Sequence, residues 1–175
     1  ITGGLAARAY GAKRVLADID ISIPNERFGD IYNETVPYIF YGPDRFIDEN
    51  WEIFLVSLEY EGQEIDICSM DYRIFDPRIG KWFAKKLDSQ IFNTTQIYGE
   101  YVPVVTKAAL FEEKIQLGRA ADNQDIKELC ENDPVAFEIL DKVKNLRLPK
   151  NKYAVFGSGP MAIRSMRKTN DIDLI

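Results

Sequence analysis

A chain of 175 residues with 46% hydrophobic and 29% charged side chains is long enough to bury a core and lacks the bias of a disordered segment. It contains no histidine, which excludes Ser-His-Asp and Cys-His catalysis, the HExxH zinc motif and imidazole bases, so chemistry must rest on carboxylates, Lys, Arg, Tyr or a bound metal. A net charge of −6 argues against a broad basic surface for gripping nucleic acid.

No apolar run has the length of a membrane span and no segment reads as an export signal, so a cytoplasmic location without membrane contact is expected. Cys68 and Cys130 lack metal-ligand spacing and are expected as free thiols.

In chain order, Gly3-Gly4 precedes a small-residue helix from Leu5 to Tyr10, followed by Ala17-Asp18-Ile19-Asp20-Ile21-Ser22-Ile23. That stretch alternates, with isoleucines on one face and Asp18, Asp20 and Ser22 on the other, as in a half-buried strand. Pro24-Asn25 ends it. Gly29 to Tyr41 is read as a helix broken by Gly42-Pro43, with the aromatics from Tyr38 to Tyr41 in core or lid packing. Trp51 to Tyr60 and Glu64 to Cys68 are read as a hairpin around Glu61-Gly62, which puts Asp66 on a strand beside the first.

Gly80 to Ser89 is expected as loop or short helix, and Val102 to Val105 as a short strand with Pro103 at an edge. Thr106 to Leu117 fits an amphipathic helix stopped by Gly118. Helices are expected near Asn123 to Glu131 and Pro134 to Asn145. Asp122 and Asp125 are expected to pair with Arg119 or to cap the following helix.

The end of the chain reproduces its beginning: a strand at Tyr153 to Phe156, the turn Gly157-Ser158-Gly159, a short helix, and a second Asp-Ile-Asp strand with Asp171 and Asp173. Gly4 and Gly157 stand equally far before their first Asp, and Arg14 and Arg167 match in register. The expected organisation is a core over residues 1–133 lacking its first strand and the start of a similar unit over residues 134–175, as in a tandem or permuted protein. The Lys152 to Phe156 strand is expected beside Asp18 to Ile23. The fold class is α/β (α+β): a mixed β-sheet core flanked by helices, with a C-terminal partial repeat.

Two carboxylates on one strand face and a third on a neighbour suit Mg²⁺ or Mn²⁺, which bind oxygen ligands and neutralise phosphates. A glycine pair opening a helix lets backbone N–H groups approach a triphosphate.

Gly3-Gly4, Tyr10-Gly11, Arg14 and Asp18-Ile19-Asp20-Ile21 resemble the GG…YG..R…DxD signature of the DNA polymerase beta-like nucleotidyltransferase superfamily, and Glu64-Ile65-Asp66-Ile67 resembles its third-carboxylate strand. Val102 to Ile126 is similar to the helical segment of bacterial minimal nucleotidyltransferases, including toxin-type members of abortive-infection and toxin–antitoxin systems. The resemblance implies transfer of a nucleoside monophosphate from a nucleoside triphosphate to an acceptor hydroxyl on a small molecule, protein or RNA. It implies metal binding by Asp18 and Asp20, with Asp66 as ligand or general base, and nucleotide contacts from Gly3, Gly4, Arg14, Lys114 and Arg119. In the second motif, Gly157 and Ser158 would contact nucleotide and Asp171 and Asp173 metal, but no third carboxylate follows. Alternatives are an inactive nucleotide-binding or regulatory protein of the same fold, or a toxin component with an antitoxin partner; self-association is also open.

Overall fold

The structure, a computed structural model, describes residues 1–131 together with 142, 143, 145–147, 154–156, 160 and 173–175. It is a mixed α+β fold built on a five-stranded sheet with helices against it. Helix α1 (Gly3–Ala9) leads into strand β1 (Asp18–Ile23). Helix α2 (Phe28–Thr35) and a short turn of helix precede β2 (Ile39–Ile47), β3 (Trp51–Tyr60), β4 (Gln63–Asp76) and β5 (Lys81–Lys86). A second hairpin, β6 (Phe92–Ile97) and β7 (Glu100–Val105), is followed by α3 (Lys107–Leu117) and α4 (Ala120–Glu131).

The strand order is β1-β4-β3-β2, with β1 parallel to β4 and the other pairs antiparallel. Strand β4 is long enough to serve two partners along one edge, β1 against Glu64 to Ser69 and β5 against Asp71 to Asp76. The hairpin expected around Glu61-Gly62 is present, with both turn residues at positive φ.

Two hydrophobic layers sandwich the sheet. On one face Val56, Leu58 and Ile67 pack with Ile21, Ile23 and, from α2, Phe28 and Ile31. On the other, Ile53, Leu55, Tyr72 and Ile74 meet Leu117 of α3. A third cluster joins α1, α3, α4 and β7, where fully buried Ala6 and Ala7 let Phe111, Leu110 and Leu129 approach closely. Helix α3 begins as expected, Thr106 Oγ1 accepting from the Ala109 N–H, and ends at Gly118 in the left-handed conformation, φ +65°.

Four expectations need correction. Gly42-Pro43 does not break a helix; it lies inside edge strand β2, where irregular register between Tyr41 and Asp44 accommodates a residue that cannot donate to the ladder. Tyr38, just before β2, and Phe40 and Tyr41 on it are exposed rather than packed in a core. Residues Lys81–Lys86 form a strand, not a loop, because β4 continues past Cys68 and offers a free edge. Strand β6 was not foreseen; its polar run Asn93-Thr94-Thr95-Gln96 shows little alternation.

Val155–Phe156 pairs with Asp173–Leu174 in a separate two-stranded sheet, not with β1. Beside β1 lie Ile1 and Thr2 instead: the Thr2 N–H donates to the Asp20 carbonyl at 3.1 Å, and the Ile1 carbonyl accepts from Val105 of β7 at 2.9 Å. The expected helix from Pro134 to Asn145 and Gly157, Ser158 and Asp171 of the second motif fall largely or wholly outside the described residues. No helix among the described residues is long and apolar enough to cross a membrane.

Candidate active site

Strand alternation and register bring the three predicted carboxylates together. Asp18 and Asp20 share the face of β1 opposite Ile19 and Ile21, and parallel pairing sets Asp20 directly beside Asp66 of β4. One oxygen from each of Asp18, Asp20 and Asp66 lies within 4.8 Å of the others. On the far side of β4, Ser57 of β3 faces Asp66 and donates its hydroxyl to Oδ1 at 2.5 Å, leaving Oδ2 for other partners.

Helix α1 abuts this cluster. Gly3 adopts φ +56°, and a Cβ built on it would lie 1.7 Å from Asp20 Oδ2, so no larger residue fits while Asp20 keeps its place. The Gly4 N–H donates to the Asp20 carboxylate. The glycine pair therefore serves Asp20 first. A Cβ on Gly4 would lie 2.8 Å from Arg14 Nη2.

The electrostatics follow from crowding. Burial, with Asp18, Asp66 and Glu113 nearby, pushes Asp20 up to about 7. Burial likewise holds Asp66 above the usual carboxylate range against the Ser57 hydrogen bond. Three converging carboxylates with one held near neutral pH form a site whose charge is unbalanced without a cation, and an all-oxygen donor set fits a hard divalent ion.

The carboxylates occupy one end of a cavity of about 420 Å³ between the sheet face and the helices. Its floor continues from Asp66 and Cys68 on β4 to Leu55, Ile53 and Trp51 on β3. Its roof is α1, α3 and the α3–α4 turn. Arg14, Lys114 and Arg119 all line it, but each is already ion-paired. Lys114, with a 4% exposed side chain, bridges Asp122 at 3.3 Å and Asp125 at 2.8 Å. Arg14 binds both oxygens of Asp125. Arg119 binds Asp122 at 2.8 Å through Nε, and its backbone N–H also donates to Asp122. The expected pairing of Asp122 with Arg119 is thus present, and Lys114 and Arg14 extend it into a buried network joining the β1 approach to α3 and α4.

Several site residues were not singled out from the sequence. Glu113 of α3 lines the cavity and accepts a hydrogen bond from the Tyr72 hydroxyl; burial raises both groups above their ordinary ranges. Trp51 packs against Tyr72 with ring centroids 5.5 Å apart and planes tilted by 54°, and the Arg119 guanidinium lies 5.8 Å over the Trp51 ring. Charges on an amphipathic helix read as a solvated face, so Glu113 gave no signal. The Ser57 position opposite Asp66 could have been found by pairing the hairpin out from Glu61-Gly62. Cys68 and Cys130 are not joined in a disulfide. Asp173 lies on the short strand paired with Val155–Phe156, apart from the carboxylate cluster found among the described residues.

No protein-family model and no curated protein matches the sequence. Among solved structures, the chain is similar to a candidate nucleotidyltransferase of Thermotoga maritima, at 18% identity and a TM-score of 0.56, covering 83% of this chain and 77% of that one. Together with the mixed sheet and flanking helices, the likeness shows a nucleotidyltransferase-like fold.

Proposed function

We propose that the chain is a divalent-metal-dependent nucleotidyltransferase of the DNA polymerase beta-like superfamily, moving a nucleoside monophosphate from a nucleoside triphosphate to an acceptor hydroxyl. The observation that carries this is the convergence of Asp18, Asp20 and Asp66 on one sheet face, in a nucleotidyltransferase-like fold, beside a glycine pair opening a helix. Asp18 and Asp20 would hold Mg²⁺ or Mn²⁺, with Asp66 beside them as general base. When bound, the ion neutralises phosphate charge and orients the reacting oxygens.

The chain's own groups do the rest. In the transfer, the acceptor oxygen bonds to the α-phosphorus, the bond to the pyrophosphate oxygen breaks, and pyrophosphate leaves with that electron pair. The acceptor proton passes to Asp66 through Oδ2, the oxygen that Ser57 leaves open. Gly3 keeps side-chain bulk away from Asp20, and Gly4 keeps it away from Arg14 and Leu16. Arg14 and Arg119, with side chains 20% and 44% exposed, are the cations best placed to meet phosphate oxygens at the cavity wall.

Incubation with each α-labelled nucleoside triphosphate, Mn²⁺ and a cell extract as acceptor source tests this. Label is expected to transfer to an acceptor with the wild-type protein and not with Asp18→Asn. Saturable nucleotide binding with no transfer for any of the four nucleotides would assign the inactive, regulatory alternative instead.

A further inference from the structure

Glu113 of α3 has no part in the transfer proposed above. It lines the cavity of about 420 Å³ that holds Asp18, Asp20 and Asp66, and also a neighbouring cavity of about 210 Å³. Thr2, Tyr72 and Leu87 line both as well, so the two cavities share a wall in which Glu113 stands. Its carboxyl group is shielded from bulk water, and it is near enough to Asp20 to push that group upward. Oxygen Oε2 accepts from the Tyr72 hydroxyl. Among the described residues no other hydrogen bond and no ion pair reaches the Glu113 side chain: Lys114 beside it is turned to Asp122 and Asp125, and Lys85 holds Glu112. A carboxylate taken out of water with one oxygen lacking a donor is costly until a donor meets it.

The walls of the larger cavity differ in charge. Arg14 and Arg119, proposed above to meet phosphate oxygens, are anchored to Asp125 and Asp122 of α4, whereas Glu113 is anchored to Tyr72 of β4. We propose that Glu113 docks the acceptor, and that the acceptor is a small alcohol carrying an ammonium group, which binds Oε1 while the hydroxyl lies at Asp66. This rests on the transfer reading. An ammonium group brings the donors that the second oxygen lacks and balances a charge that no protein cation meets, in a charge-assisted hydrogen bond. Open volume on both sides of Glu113 leaves it room. Attachment at a second point would fix where the hydroxyl sits relative to Asp66, which is how binding away from the reacting atoms aids a transfer.

Ligand-observed NMR titration of the whole chain with trans-4-aminocyclohexanol and with trans-1,4-cyclohexanediol tests this, since the two share a ring and a hydroxyl and differ only in ammonium against hydroxyl. Excess Mg²⁺ is present throughout, so an ammonium ion that merely replaced the metal at Asp18 and Asp20 does not register. The amine is expected to bind saturably and the diol about tenfold more weakly, for want of the charge-assisted bond. Glu113→Gln, which keeps an acceptor for Tyr72, should weaken the amine about tenfold and leave the diol within about twofold. Its melting temperature should still rise with Mg²⁺. If that variant does not fold, amide shifts of the wild-type protein on adding the amine are the second readout, and they should centre on Tyr72 and Glu113. Equal affinity for the two alcohols, binding of neither, unchanged amine affinity in Glu113→Gln, or shifts centred elsewhere overturns the inference. So does displacement of the amine by Mg²⁺·ATP, which would place it in the nucleotide's seat. Label transfer without preference for the amine sinks this inference alone; a Glu113-dependent preference without label transfer sinks the transferase proposal alone.

Discussion

Asp20 and Asp66 are direct partners across the parallel β1–β4 pair, so two half-buried carboxylates confront each other on neighbouring strands. No ion pair among the described residues reaches them: Arg14, Lys114 and Arg119 are bound to Asp122 and Asp125. Repulsion stored there should be relieved by a divalent ion. Millimolar Mn²⁺ is expected to raise the melting temperature by several degrees. Asp20→Asn should melt higher than wild type without metal and lose most of the metal response. A metal-free Asp20→Asn protein less stable than wild type would show that the cluster is not under electrostatic strain.

The same crowding sets a pH dependence. Asp20 titrates near its ordinary 3.8 when unfolded and at about 7 when folded. Between those values the folded state holds a proton that the unfolded state lacks, so stability falls as pH rises and levels off above 7. For this group the loss is up to roughly 4 kcal/mol over that interval. The raised Asp66 and Glu113 act in the same sense. Mn²⁺ competes with the proton, so its stabilising effect should grow from pH 6 to pH 8. Urea denaturation across that range, with and without Mn²⁺, measures both trends, and a metal effect independent of pH would contradict them.

Gly3 and Gly4 should respond differently to substitution. Gly3→Ala places a methyl group where Asp20 Oδ2 lies and forces a residue with a Cβ into φ +56°; the backbone cost alone is about 1 kcal/mol, and Asp20 must move. Metal stabilisation should vanish. Gly4→Ala meets the ends of the Arg14 and Leu16 side chains, at 2.8 and 3.0 Å, and not Asp20, so the metal response should survive. Equal retention of the response in both would separate the glycine turn from the carboxylate site.

What was legible in the sequence was whatever local chemistry determines. Alternation of Asp and Ile fixed the face of β1, Glu61-Gly62 fixed the hairpin and with it the strand of Asp66, and Thr106 and Gly118 fixed the ends of α3. What was not legible depends on partners distant in the chain. Lys81–Lys86 becomes a strand only because β4 overruns β1. Gly42-Pro43 resembles a break until β2 is known to be an edge strand. Lys114 and Glu113 are adjacent in sequence and read alike as helix-surface charges, yet one enters a buried ion network and the other binds Tyr72 in the cavity.

Lys114 provides the last test, because its position allows two roles with opposite experimental signatures. It lines the cavity, as a phosphate ligand would, but its side chain is 4% exposed and bridges Asp122 and Asp125, themselves buried. Removing one partner of a buried ion pair strands the other charge, at about 3–5 kcal/mol. Here Arg14 and Arg119 still hold the two aspartates, so Lys114→Met should cost about 3 kcal/mol, the lower end of that range. Under conditions where the variant is folded, its affinity for Mg²⁺·ATP should lie within about twofold of wild type, because a structural counter-ion does not touch the nucleotide. Calorimetric titration beside urea denaturation gives both numbers. Unchanged stability with a tenfold or greater loss of nucleotide affinity would make Lys114 a phosphate ligand and leave Asp122 and Asp125 to the two arginines.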